Sequence, residues 1–244
     1  FNWLEGKILN AEEITEKHCK IVGKILAEIH NINFSKIEDD ERKNINTEEF
    51  DWKNYLELAK KQCKTYVYIL EKNINLLYEV NKKSNEAIRY VNNNLIISHT
   101  DLDRKNVIWQ EFRPFIIDWE ASGYINPTIE LIQVAWYWSG GDVENLDYKK
   151  FETVANSYKK YAKKDIDKNI EKLIYADIHN GLEWVNYNFK RSLCIENEYK
   201  QDEIELAENE IIQSIGEIKY NVSQMDKMIE ILKRYEEEKL YDVK

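Results

Sequence analysis

The chain is organised around residues 98–120, Ser-His-Thr-Asp-Leu-Asp-Arg-Lys-Asn-Val-Ile-Trp-Gln-Glu-Phe-Arg-Pro-Phe-Ile-Ile-Asp-Trp-Glu. An aspartate, an amide five residues on and a second aspartate beyond a hairpin can do what a solvated charge cluster cannot. Asn106 and Asp118 offer two oxygen ligands of the kind Mg²⁺ accepts while it keeps several waters and shares itself with nucleotide phosphates. Asp101 is then free to orient a substrate hydroxyl and take its proton during an in-line phosphoryl transfer. His99 reads as a structural brace for the loop rather than as a general base.

These groups need elements to hold them. Residues 95–97 form a short apolar run that predicts a buried strand, and residues 107–109 and 115–117 predict two strands around a turn at Arg113-Pro114. The loop between the first two strands carries Asp101 and Asn106. The third strand delivers Asp118 at its end.

His99-Thr100-Asp101 with Asn106, followed by Ile117-Asp118-Trp119-Glu120, resembles the aminoglycoside phosphotransferase and choline kinase family. That family has a protein-kinase-like fold, an H-x-D-x-x-x-x-N loop and an I-D-W-E or I-D-F-E segment. The resemblance implies that Asp101 is the catalytic base, that Asn106 and Asp118 hold Mg²⁺, and that ATP or GTP is the phosphoryl donor. The family commonly has an Asp-Leu pair three residues after a proline, where the Asp braces the catalytic loop. Here Pro127 is followed by Glu130-Leu131, so Glu130 is expected to be a longer version of that brace. Two departures stand out. Thr100 occupies a position where the family usually has Gly, and a Thr tolerates positive φ poorly. Asp103-Arg104-Lys105 stands where His-Pro-Gly is frequent.

Residues 1–7 resemble the family's segment just after the hinge between the two lobes. No glycine-rich phosphate loop occurs in the sequence, and no strand-borne Lys can be placed upstream of the catalytic loop. The expected fold is therefore mainly α with a small β-hairpin (α+β), the C-terminal lobe of the protein-kinase-like fold with the nucleotide lobe absent from this sequence. Within it, residues 1–7 form the hinge segment and 8–244 the lobe, with the catalytic loop at 98–106, the metal-binding segment at 116–120 and a helical substrate side at 127–244.

Length and composition agree with a globular protein of one large domain or two small ones. Of 244 residues, 43% are hydrophobic and 33% charged, and no apolar stretch is long enough to span a membrane. Three cysteines, Cys19, Cys63 and Cys194, are odd in number and far apart, which predicts reduced, mostly buried thiols in a cytoplasmic protein. The net charge of −10 argues against nucleic acid as a partner and favours a cationic acceptor. With only two prolines and seven glycines, long helices should dominate.

Asn10 with Glu13 reads as a capping box opening the first helix, with Ile14, Ile21, Val22, Ile25 and Ile29 as its core stripe. His18 and His30 are expected to be structural. Residues 34–49 read as a surface loop. Asp51 should cap a helix whose face carries Tyr55, Leu56, Ala59, Cys63, Tyr66 and Ile69, and a second helix should run over about 74–91. Residues 121–126 read as a loop ending in the cap Asn126-Pro127. The helix that follows should end at Trp136, Tyr137 and Trp138, packed in the core, before Ser139-Gly140-Gly141. Further helices are expected over 147–162 and 167–193, the latter with a buried stripe (Ile174, Ile178, Val185, Phe189) beside a polar one (Asp177, Asn180, Trp184, Asn188). Residues 202–244 read as two charged helices in an antiparallel hairpin.

In relatives the region matching 167–193 lines the acceptor cleft. Asp177, Glu183 and Trp184, with Glu120 from the metal-binding segment, are therefore the candidate acceptor contacts, and Glu196 and Glu198 would add negative potential. The reading is a Mg²⁺- and nucleotide-dependent kinase that phosphorylates a hydroxyl of a small amine-bearing molecule such as an aminoglycoside. Two alternatives stand beside it: a choline- or ethanolamine-type kinase with an aromatic cage drawn from Trp136, Trp138 and Trp184, and a non-catalytic binding module.

Overall fold

The computed structural model describes residues 3–32, 47, 49–91 and 94–241, with side chains as far as residue 234. The expected loop at 34–49 lies almost wholly outside the described residues. Seven α-helices and four short strands occur among those that are described. The chain divides into two compact units: one takes described residues within 1–41, 92–170 and 226–244, the other those within 42–91 and 171–225.

In the first unit the capping box forms, with Asn10 and Glu13 reciprocating, but it closes only a single 3₁₀ turn, Ala11–Glu13. Ile14 then turns extended and buries its side chain, and Thr15 caps the helix proper, α1 (Glu16–His30). The expected start at Asn10 is thus corrected to Glu16. α1 lies against α5 (Tyr148–Tyr161) so closely that a Cβ on Gly23 would collide with the carbonyl oxygen of Val154. α4 (Pro127–Trp138) packs on both, capped by Asn126, whose side chain accepts from the amides of Thr128 and Ile129. Trp138 and Trp109 meet edge to face at 5.9 Å in the core of this unit. Trp136 and Trp138 are buried, as expected of packing residues.

The strands also belong here. β1 (Ile96–Ser98) pairs antiparallel with β4 (Gly123–Ile125), and β2 (Val107–Gln110) pairs antiparallel with β3 (Arg113–Ile116). β4 corrects the expected loop at 121–126. The hairpin turn falls at Glu111-Phe112, with Glu111 at φ 54°, rather than at Arg113-Pro114. Pro114 sits inside β3 opposite Trp109, whose N–H and C=O both bond Lys7 on the other side. The pair is therefore a non-hydrogen-bonded one, and the missing N–H of proline removes no ladder bond.

In the second unit Asp51 caps α2 (Trp52–Lys61), its side chain accepting from the amide of Asn54. α2 stops earlier than the stripe to Ile69 implied, because Cys63 turns to φ 53°, and α3 (Val67–Val91) runs as one 25-residue helix. α6 (Ile170–Ser192) buries Ile174, Ile178, Val185 and Phe189. Phe189 is ringed by Trp52, Tyr55 and Tyr66, with Tyr55 stacked on it at 4.9 Å. The neighbouring polar stripe is not one face: Trp184 is exposed while Asn188 is fully buried, donating to the carbonyl of Trp184.

The expected C-terminal hairpin does not form. α7 (Gln201–Tyr241) is a single 41-residue helix. Ser223, between the two stretches expected as separate helices, bonds its hydroxyl back to the carbonyl of Tyr220 within the continuous helix. The cysteines also differ from expectation, since Cys19 is buried but Cys63 and Cys194 are exposed; all three are free. No helix among the described residues is long and apolar enough to cross a membrane.

Candidate functional site

β1 leads directly into His99, which is fully buried. Its Nε2 lies 3.0 Å from the carbonyl oxygen of Ile117, and its Nδ1 lies 3.3 Å from the amide nitrogen of Asp101. A carbonyl only accepts and an amide only donates, so Nε2 carries the proton and Nδ1 takes the Asp101 N–H. With both nitrogens committed, the ring ties the loop to the end of the β2–β3 hairpin and has no lone pair to offer a substrate.

Thr100 follows at φ 62°, in the left-handed region where glycine is at ease. Its amide donates to Glu130 Oε1 at 2.8 Å, and its hydroxyl donates to the carbonyl of Ala121 at 2.6 Å. Glu130 is buried in the first turn of α4. Its other oxygen meets His30 Nε2 at 2.7 Å, and His30 Nδ1 meets the hydroxyl of Tyr158 at 2.7 Å. Burial, reinforced by the charge of Glu130, pushes the Tyr158 phenol up.

Asp101 is half-buried and faces Asn106. The Asn106 amide donates from Nδ2 to both the backbone carbonyl (2.8 Å) and Oδ2 (2.9 Å) of Asp101. The Lys105 ammonium stands 3.2 Å from the same Oδ2. Asn106 closes a 3₁₀ turn (Arg104–Asn106), and its carbonyl accepts the amide of Ile117, which brings Asp118 beside it. Asp118 is exposed at φ 62°, a conformation Asp tolerates better than most residues.

Asn106 and Asp118 present an amide and a carboxylate, hard oxygen donors that fit Mg²⁺. With Nδ2 held by Asp101, Oδ1 is the Asn106 atom with which a cation can be met. No group of three or more His, Cys, Asp or Glu that could cage a metal occurs among the described residues. Two protein donors, one of them exposed, suit a cation that completes its shell with water and phosphate.

Beyond Asp101 the loop is gripped again. Trp138 Nε1 donates to the carbonyl of Leu102 at 2.9 Å. The Arg104 guanidinium donates from Nη1 to the carbonyl of Tyr137 (2.6 Å) and to Asp142 Oδ1 (2.8 Å), and from Nη2 to Asp142 Oδ2. Asp103 accepts from the amide of Arg104, and burial pushes its carboxyl up in spite of the neighbouring cations. Beside this stretch lies a cavity of about 1050 Å³, bounded by Asp103, Arg104 and Lys105, by Glu12 on the approach to α1, and by Asn145 and Lys150 beyond α4.

The model of the "Phosphotransferase enzyme family" (APH) matches residues 1–162. The chain belongs to this phosphotransferase family. Among solved structures, a spectinomycin phosphotransferase, APH(9)-Ia, is similar at 17% identity and TM-score 0.57, covering 97% of this chain and 70% of its own. An ethanolamine kinase of Plasmodium vivax is similar at 17% identity and TM-score 0.51, covering 87% of this chain and 63% of its own. The chain thus spans less than two thirds of that kinase's length. At these identities the likeness is one of fold, and it places the phosphotransferase chain in the protein-kinase-like class. No curated protein matches the chain.

The loop, the hairpin and the first turn of α4 thus bring together His99, Asp101, Asn106 and Glu130, with Asp118 following Ile117. Glu120 lies exposed two residues past Asp118. Asp177, Glu183 and Trp184 stand on α6, in the second unit. There Glu183 lies 3.6 Å from His179 Nε2, with its carboxyl pushed up by burial, and Trp184 Nε1 donates to Glu210 at 3.1 Å. Burial of Trp136 and Trp138 leaves Trp184, 45% exposed and stacked on Tyr187, as the open aromatic of the three considered for a cage. Lys105, Arg104 and Asp142 are the contacts that sequence reasoning missed, whereas His30, expected to be structural, braces Glu130. For Arg104 and Lys105 a signal existed, their departure from the usual His-Pro-Gly; for Asp142 there was none.

Proposed function

We propose that the chain carries the catalytic loop of a nucleotide- and Mg²⁺-dependent kinase that transfers a γ-phosphoryl group to a hydroxyl of a small, amine-bearing acceptor. The observation that supports it is Asn106, whose side-chain amide bonds the backbone and carboxylate of Asp101 while its backbone carbonyl accepts the amide of Ile117, the residue before Asp118. The loop and the end of the hairpin then hold a proton acceptor and two cation ligands side by side.

Asp101 Oδ2 already takes two donors, from Asn106 and Lys105, so Oδ1 is the oxygen with room for the acceptor hydroxyl. Asp101 orients that hydroxyl and receives its proton as the oxygen attacks phosphorus. His99 holds the Asp101 amide, and Glu130 holds the Thr100 amide, so the carboxylate is aimed before the substrate arrives. Asn106 Oδ1 and the Asp118 carboxylate would hold Mg²⁺. When bound, Mg²⁺ supplies positive charge against that building on the transferred group.

Asp101→Asn in the full-length protein tests this. The substitution keeps the Asn106 contact and removes the base, so turnover should fall about 10²–10⁴-fold. Nucleotide affinity should stay near that of the parent, because Asp101 faces the acceptor. A screen of aminoglycosides, choline and small sugars with ATP and GTP identifies the acceptor. Equal turnover by variant and parent would sink the assignment.

A further inference from the structure

Successive grips on the catalytic loop come from one element and the turn that follows it. Glu130, near the start of α4, takes the Thr100 N–H; Trp138, its last residue, takes the Leu102 carbonyl; Tyr137 and Asp142 take the Arg104 guanidinium. Residues 100, 102 and 104 are thus held from α4, and Asp101 and Asp103 alternate between them.

The last grip is the most constraining. Arg104 meets Asp142 with two parallel N–H···O bonds, the fork-to-fork geometry that fixes orientation as well as distance. Its third bond goes to Tyr137, one of the last carbonyls of α4, where the helix dipole favours a cation. The two side chains are only 14% and 23% exposed, so solvent screens the pair little. Arg104 is also the first residue of the 3₁₀ turn that Asn106 ends, closed by the Asn106 amide on the Asp103 carbonyl. The clamp on Arg104 therefore anchors the first residue of the turn that carries the Asn106 side chain to Asp101.

We propose that Arg104 and Asp142 are positioning residues for phosphoryl transfer: their ion pair sets the Asn106 end of the catalytic loop, and through it the cation site. The proposal rests on the reading of Asn106 as a cation ligand given above. It gives the departure from the usual His-Pro-Gly a use, since Arg104 supplies by a side-chain clamp the rigidity that a proline supplies through its ring.

Calorimetric titration of the full-length protein with ATP and with GTP, each with and without Mg²⁺, tests it, with Tm measured alongside. Arg104→Met should lower the Mg²⁺-dependent part of nucleotide affinity by about 10-fold, the scale seen when a partner behind a metal ligand is removed, and leave metal-free binding unchanged. Arg104→Lys keeps the charge and loses the fork, so it should recover part of the loss. Should Arg104→Met not fold, Asp142→Asn reads the same difference, because Arg104 keeps its bond to Tyr137. A lowered Tm with the Mg²⁺ increment intact in every folded variant would overturn the proposal and make the pair structural. Asn106→Ala separates the two claims: if it leaves the increment intact, the cation-ligand reading itself fails; if it abolishes the increment while the Arg104 and Asp142 variants keep it, only the clamp fails.

Discussion

Thr100 pays for its left-handed backbone with a bond that glycine cannot make. An L-residue in that region costs about 1–2 kcal/mol, while the hydroxyl bond to the Ala121 carbonyl returns about 1 kcal/mol. Glycine would relieve the strain, lose the bond and add about 0.5–1 kcal/mol of chain entropy to the unfolded state. These terms nearly cancel, so Thr100→Gly should be close to neutral. Thr100→Ala keeps the backbone penalty without the bond and should cost about 1 kcal/mol. Denaturant unfolding of the two variants checks the order; an alanine variant as stable as the parent would remove the hydroxyl from the account. A second residue sets a pH dependence. His18 is buried, its Nδ1 accepts the Thr15 amide at 3.1 Å, and burial first, then Lys17 and Lys7, push its pKa below the ordinary value of 6.5. The unfolded chain therefore binds the proton more readily, so the stabilisation is complete above about pH 6.5 and is lost as pH falls through the folded pKa. Unfolding at about pH 7.5 and about pH 5.5 should show the parent losing stability on acidification relative to His18→Gln. Parallel losses in both proteins would mean that other groups carry the dependence.

The helices offer a paired test, because the same substitution should have opposite signs at two glycines. A methyl at Gly23 drives α1 into the backbone of α5 at Val154, which cannot give way as a side-chain tip can. Gly23→Ala should cost about 1–3 kcal/mol through overpacking. Gly181, within α6, would place its methyl 3.7 Å from Ile218, an ordinary contact. Gly181→Ala should therefore gain about 0.5–1 kcal/mol from helix propensity. Thermal melts of both variants decide, and a destabilised Gly181→Ala would show that α6 and α7 lack that space. Legibility in the sequence followed the same division between local and distant causes. The Asn126-Pro127 and Asp51 caps were readable because each acts on amides two or three residues away. The turn at Glu111-Phe112 was not, since Pro114 became harmless only once Lys7 had claimed the other edge of Trp109. β4 is three residues whose strand character comes from β1, and α7 runs on through Ser223, where polar composition alone does not separate a helix from a turn. At the site, the spacing of Asp101, Asn106 and Asp118 carried the chemistry, whereas the Arg104–Asp142 pair joins residues 38 apart and exists only through the path of α4.

At the scale of the whole molecule, the formal charge of −10 predicts how an acceptor should arrive. If the acceptor is polycationic, its specificity constant should fall as salt rises to about 0.15 M, where the Debye length shrinks to about 8 Å and distant carboxylates stop contributing. A neutral acceptor should show little change. A flat profile with a preferred neutral acceptor would assign the acidic surface to solubility alone. The division of the chain has a separate consequence, in the order of synthesis. The first unit is assembled from three stretches of sequence, and the Lys159 ammonium finds its acceptor at Leu232, 73 residues further on. At ribosomal speeds that separation is roughly 4–15 s. For that interval every residue of the catalytic loop has been made, yet α5 still waits for the strip of α7 that covers its lysine, and a nascent chain paused there presents an unfinished face to chaperones and proteases.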